Sequence, residues 1–172
     1  MKLAGVMLAL ALALGACTSD SHGLGGPGPL TFSSVEPETG ATVFLRERPV
    51  LAPNRVGVDV VARGAGALHG AAFRLTWDPS ALAFVSAQSG EKWSRSVLAL
   101  AKEGTPGQLA VAWTEKGEVG IDASQEVVLG TLLFESRART GTPIAFKAER
   151  STVVDKKGVP VSVSWRGGTV AY

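Results

Sequence analysis

The chain has 172 residues, of which 45% are apolar and 19% charged, with 17 basic against 15 acidic side chains. That near-balance, and the lack of a basic stripe interleaved with aromatics, argue against a nucleic-acid footprint. A single cysteine, Cys17, excludes an internal disulfide framework.

The first stretch reads MKLAGVMLALALALGAC, in which Lys2 precedes an apolar run from Leu3 to Leu14. A bilayer span needs about 20 apolar residues, so this run fits the apolar region of a secretory signal peptide instead. The ending LGAC resembles the lipobox of bacterial lipoproteins. The resemblance implies a signal peptide over 1–16, cleavage, and a lipidated Cys17 as the first mature residue. Acyl chains would then hold the protein on a membrane, with lipid and not a helix as the anchor. Thr18, where some retained lipoproteins carry aspartate, points to the outer membrane of a Gram-negative envelope. Residues 17–34 are rich in Gly, Ser and Pro and lack periodicity. They read as a flexible tether with an end-to-end distance of roughly 20–25 Å. Residues 35–172 suit one domain with a real core.

Nearly every later segment alternates with period two, the signature of half-buried antiparallel strands. Val56, Val58 and Val60 share a face, as do Phe73, Leu75 and Trp77, then Leu109, Val111 and Trp113. Leu132 with Phe134, Ile144 with Phe146, and Val161, Val163 with Trp165 continue the pattern. Turn-forming runs (RGAGAL, DPSA, SGEK, EGTPG, EKGEVG, RTGT, DKKG) separate them. The segment 94–104 is the one place where a helical stripe competes, through Val97, Leu98 and Ala101; its length and position favour a strand. Eight or nine strands at this spacing predict an all-β, antiparallel β-sandwich. Its core should hold Trp77, Trp113, Trp165, Phe73, Phe84, Phe134 and Phe146.

The order of segments resembles the cohesin domain, the receptor module of bacterial cellulosome scaffolds. A valine-rich strand, a small-residue loop and a strand ending in aromatic-Asp-Pro followed by LxFV make up RVGVDVVARGAGALHGAAFRLTWDPSALAFVSAQSG. GQLAVAWTE is similar to the family's central strand, VVLGTLLFESRARTGTPIAF to its next pair, and STVVDKKGVPVSVSWRGGTVAY to its closing hairpin and last strand. The likeness covers about residues 41–172, and carbohydrate-binding modules of the same broad architecture share part of it. It implies a jelly-roll sandwich of about nine strands and a non-catalytic activity, docking a calcium-loaded dockerin or other protein partner across an exposed sheet face.

Projected onto this chain, that face comprises Gly70, Ala72, Arg74, Thr76, Ala110, Ala112 and Thr114, and Arg74 is its natural anchor. Gly and Ala at 70 and 72 stand where the family usually carries polar side chains. Asp78 before Pro79 reads as a turn former, and so does Asp155. Asp122, Ser124 and Glu126 alternate oxygen-bearing side chains, a weak calcium pattern. Trp93 lies outside the alternating strands. It is a candidate either for an exposed ring that stacks on a sugar or partner, or for a ring closing the end of the core. There is no nucleophile elbow and no zinc spacing, and His69 is the only histidine in the body. The sequence therefore leads to no enzyme, no cofactor and no protein-bound metal. The expected function is a lipid-anchored envelope module that docks a protein. The alternatives are a surface carbohydrate-binding module linked to polysaccharide binding or breakdown, and a structural envelope lipoprotein.

Overall fold

Alternating residues fold into two stacked antiparallel sheets because each strand has one face to hide. The computed structural model describes residues 30–35 and 39–172; the expected signal peptide, Cys17 and the expected tether as far as residue 29 lie outside the described residues. The elements are β1 (Thr31–Ser34), β2 (Thr42–Arg48), β3 (Arg55–Arg63), β4 (Ala67–Leu68), β5 (Gly70–Thr76), β6 (Leu82–Ser89), β7 (Leu98–Glu103), β8 (Gln108–Thr114), β9 (Ile121–Asp122), β10 (Val127–Ser136), β11 (Thr142–Phe146), β12 (Thr152–Val154), β13 (Pro160–Val161), β14 (Ser164–Arg166) and β15 (Gly168–Ala171). A single 3-10 turn, Ala148–Arg150, separates β11 from β12. The all-β sandwich read from the sequence is the observed fold.

One sheet runs β14-β2-β3-β10-β6, with β14 parallel to β2 and the other pairs antiparallel. In the other, β5 is central. β8 pairs along one edge of it, and β11 and β12 share the opposite edge in tandem. β7 closes that sheet beyond β8, while β15 and β1 extend it beyond β11. β4 and β9 form a small separate ribbon.

The core lies between the sheets. Val58 and Val60 from β3, Leu132 and Phe134 from β10, Phe73 and Leu75 from β5 and Leu109 and Trp113 from β8 are all buried. Their rings pack edge-on, with centroids 5.4 Å apart for Phe73–Trp113 and 5.1 Å for Trp77–Phe134, the geometry aromatic quadrupoles favour. Phe146 and Trp165 extend the cluster at 4.9 Å.

Two boundaries differ from expectation. The tether was expected to run to residue 34, but Leu30 and Phe32 are buried and β1 pairs with β15. Phe32 fits because Gly168 has no side chain: a Cβ there would come within 2.2 Å of the ring. PVSVSW, expected as one strand, is divided between the sheets, β13 pairing with β12 and β14 with β2. Within segment 94–104 the edge strand β7 forms over Leu98–Glu103, the strand that its length and position favour.

The candidate docking face

Strand β5 divides its side chains cleanly. Phe73 and Leu75 go inward, as does Trp77 just past the strand's end, and Ala72 and Arg74 are exposed on the outside. The chain then turns sharply. Asp78 Oδ1 accepts hydrogen bonds from Ser80 N (2.8 Å) and Ser80 Oγ (2.6 Å), and Trp77 Nε1 donates to Leu82 O (2.9 Å). These Ser80 bonds hold the Asp78 carboxyl below the usual aspartate range. Gly107, at φ +77°, lets the β7–β8 turn close onto this corner. A Cβ there would lie 2.6 Å from Trp77 O and 2.8 Å from Pro79 Cδ.

The registers set the outer face in rows. Leu98 (β7), Thr114 (β8), Gly70 (β5) and Val154 (β12) form one row, and Leu100, Ala112, Ala72 and Thr152 the next. Lys102, Ala110 and Arg74 form the third, and Gln108, Thr76 and Ala145 close the face. All seven residues expected on this face are thus brought together, with one correction. Gly70 is buried and not exposed, because Thr114 Oγ1 and Val154 Cγ2 would each stand 3.1 Å from a Cβ at that site. The floor of the face is Gly and Ala. Its raised features are Leu98 and Leu100 on one side, 53% and 58% exposed, and the two cations at one end.

Sequence reasoning missed Leu98, Leu100 and Lys102. The signal was present in LALAKE, where Leu, Leu and Lys stand at alternate positions, but apolar residues on both parities masked the alternation.

Arg74 and Lys102 flank a hollow of about 240 Å³, completed by Gly104, Thr105, Gln108 and Ala110. No outward position on these strands carries a carboxylate, and among the described residues neither cation makes a salt bridge. The nearby backbone is tied down. Arg74 N donates to Ser151 Oγ (3.2 Å), Ser151 Oγ to Lys147 O (2.7 Å), Lys147 N to Arg74 O (2.9 Å), and Lys147 Nζ reaches Gln108 Oε1 (3.5 Å).

Trp93 is not an exposed stacking ring. It is 6% exposed and donates from Nε1 to Leu129 O at 2.7 Å, so it caps the core. Glu115, also buried, holds the same loop by accepting from Ser94 N and Ser94 Oγ. Of the chain's eleven aromatic rings, ten are buried or half-buried; only Tyr172 is exposed, its hydroxyl bonded to Ser136 Oγ and Ala138 O. No aromatic platform for a sugar face is therefore present among the described residues. A second hollow, about 370 Å³ and larger than the first, lies against the opposite sheet. It is lined by Arg48, Lys92, Glu91 and Glu126 and lacks aromatic rings, so it offers a sugar nothing to stack on.

The weak calcium triplet does not assemble. Asp122 is turned to Ser124, whose side chain foremost and then its N–H (2.9 Å from Oδ1) hold the carboxyl below the usual aspartate range, and the Glu126 carboxylate is engaged by Arg46 and Arg63. Among the described residues no three His, Cys, Asp or Glu cluster as metal ligands. Asp155 is the turn residue expected, accepting from Lys157 N and Val159 N.

No protein-family model matches the sequence, and no curated protein matches it either. Solved structures do match the fold. The sixth cohesin of Acetivibrio cellulolyticus scaffoldin B, solved with a dockerin, is 18% identical with a TM-score of 0.64, covering 76% of this chain and 97% of that one. A type I cohesin–dockerin complex from Clostridium thermocellum gives 12% identity and a TM-score of 0.63, over 78% and 94% of the two chains. A non-cellulosomal cohesin from the archaeon Archaeoglobus fulgidus gives 15% and 0.55, over 82% and 89%. At these identities the likeness is one of architecture, and the chain has the jelly-roll sandwich fold of cohesin modules.

Proposed function

We propose that this chain is a non-catalytic docking module that binds a protein partner of the dockerin kind through the outer face of β7, β8 and β5. One observation carries the reading. That face combines a flat Gly/Ala floor with two half-exposed leucines and cations that no described carboxylate engages. An exposed apolar patch beside charges awaiting partners is what a protein interface looks like before it is covered. The cohesin architecture, seen with dockerins bound in solved relatives of the fold, supports a partner of that class. The lipobox-like sequence supports an envelope location, with Cys17 as the attachment point.

The test is capture. Purified full chain, incubated with the source organism's secreted proteins, should retain a defined protein in calcium and release it in chelator. Ala72→Arg, which raises a long side chain in the middle of the floor, should abolish that retention while leaving the unfolding transition in place. Retention on insoluble polysaccharide alone would overturn the reading in favour of a sugar-binding module. For the anchor, Cys17→Ala should eliminate incorporation of labelled fatty acid in cells; labelling that persists would remove the lipoprotein assignment.

A further inference from the structure

The docking reading leaves open what the partner looks like, and the rows of the face constrain it. Along a strand, side chains on one face recur every second residue, about 6.7 Å apart. Along a helix, residues four apart recur on one face about 6 Å apart. Leu98, Leu100 and Lys102 stand at successive outward positions of β7, and Arg74 lies across the sheet from Lys102, two strands away on the same row. A helix laid parallel to β7 would therefore place residues i, i+4 and i+8 against the first leucine, the second leucine and the cationic hollow in turn. The small side chains of Ala110, Ala112 and Ala72 leave room for a helix about 10 Å across.

The charge of the third position follows from what is missing. Arg74 and Lys102 border the same 240 Å³ hollow, no carboxylate lines it, and neither cation is paired among the described residues. The nearby cation Lys147 is within reach of Gln108 Oε1 instead. An arginine and a lysine facing one small hollow repel each other until an anion enters between them. The guanidinium offers a planar donor fork that matches a carboxylate.

We propose that the partner presents one amphipathic helix with two apolar residues and a carboxylate at i, i+4 and i+8, the carboxylate entering the hollow between Arg74 and Lys102. This rests on the docking reading above and gives it a sign: the partner is acidic at the end of the helix that reaches Gln108 and Thr105.

A pair of synthetic peptides separates the two layers of the argument. Both are acetylated, amidated alanine-rich helices of about 14 residues, with leucine at i and i+4; one carries glutamate at i+8 and the other glutamine. Titration of the isotope-labelled full chain at low ionic strength, followed by amide NMR shifts, should move resonances of β7, β8 and β5. The glutamate peptide should bind about fivefold tighter, and that advantage should shrink as salt is added. In R74Q/K102Q the preference should vanish, whereas in Leu98→Ser/Leu100→Ser both peptides should weaken together. Equal affinity for the two peptides in the unsubstituted chain overturns the acidic-helix proposal and leaves the docking face standing. Shifts that miss β7, β8 and β5 for both peptides overturn the docking reading and the proposal with it. Binding of the full chain to vesicles of anionic phospholipid, lost in R74Q/K102Q, would assign the cations to a lipid headgroup and also overturn the proposal.

Discussion

The two sheets turn their backs to solvent in opposite ways. On β2, β3 and β10 the outward charges are tied to one another: Arg46 and Arg63 to Glu126, Arg48 to Asp59, and Arg55 to Glu135. Long side chains there cover even outward apolar residues, since Phe44 and Val61 are buried and Arg63 lies 5.9 Å over the Phe44 ring. On β5, β7 and β8 the outward side chains are short or unengaged, apart from Gln108, which Lys147 reaches, and the two leucines are bare. Both surfaces cover the same core, so burial of the strands does not separate them. The difference lies in whether outward groups satisfy one another. A face whose charges are already paired has little to offer a partner, because each new contact must first break an existing one. The bare face has no such cost.

The sharpest way to break this contrast is to cut the paired face at its most buried point. Asp59 is 7% exposed, and its Oδ1 accepts from Thr131 Oγ1 (2.7 Å) and Arg48 Nη1 (3.4 Å). Asp59→Ala should cost about 1–3 kcal/mol of folding stability, because Thr131 loses its acceptor in a part-buried site. It should leave partner capture intact. Urea unfolding and the capture assay measure the two halves, and lost capture at normal stability would mean that both faces bind.

A smaller effect is expected from the solvent-exposed pair Arg46–Glu126, 2.9 Å apart with both side chains 42% exposed. A double-mutant cycle over Arg46→Ala and Glu126→Ala should return a coupling of about 0.2–1 kcal/mol. It should fall with added salt. A coupling indifferent to salt would show that the network does not act through charge.

How much of this contrast the sequence shows depends on the range of the contacts. The alternation of β5, β8 and β10 identifies Phe73, Trp113 and Phe134 as core from a few neighbouring residues, because one sheet face is wholly apolar. Asp59 is legible as outward but not as buried, since the Thr131 that covers it is 72 residues away. Trp93 stays open between an exposed ring and a cap on the core for the same reason: its acceptor, Leu129 O, lies 36 residues on. The strand character of β1 was hidden because TFSS is too short to show a period. It pairs with a segment at the opposite end of the chain. Leu98 and Leu100 were obscured by a different cause. An edge strand that exposes apolar residues breaks the rule by which strand faces are read, and such breaks are expected where function outweighs local consistency.

The bare face depends on its turns for its shape, which gives a test by pH. Asp155 closes the hairpin after β12; the Val159 N–H foremost, then the Lys157 N–H and the neighbouring lysines, hold its carboxyl below the usual aspartate range. A carboxylate depressed in the folded state contributes stability that is complete above its unfolded-state pKa, about 3.9. That contribution is lost as the pH falls through the folded-state value. Asp155→Asn should therefore lower the urea midpoint slightly near neutrality, and the gap to the unsubstituted protein should close below about pH 4. A gap that persists in acid would mean that the turn needs the side chain's shape and not its charge. Asp78, depressed by Ser80 at the other end of the same face, should behave likewise.

The smallest expected effect on folding is the one that bears most on function. Leu98 and Leu100 lie on an edge strand, more than half exposed, and nothing in the core leans on them. Leu98→Ser/Leu100→Ser should change stability by no more than about 0.5 kcal/mol, the range of ordinary surface substitutions. It should improve solubility, because an exposed apolar edge invites self-association. If unfolding shows a larger loss, the leucines are structural and the bare face is a packing accident. If stability holds and capture fails, the same two side chains are dispensable to the fold and required by the partner. That separation of roles is what distinguishes a docking surface from the back of a sheet.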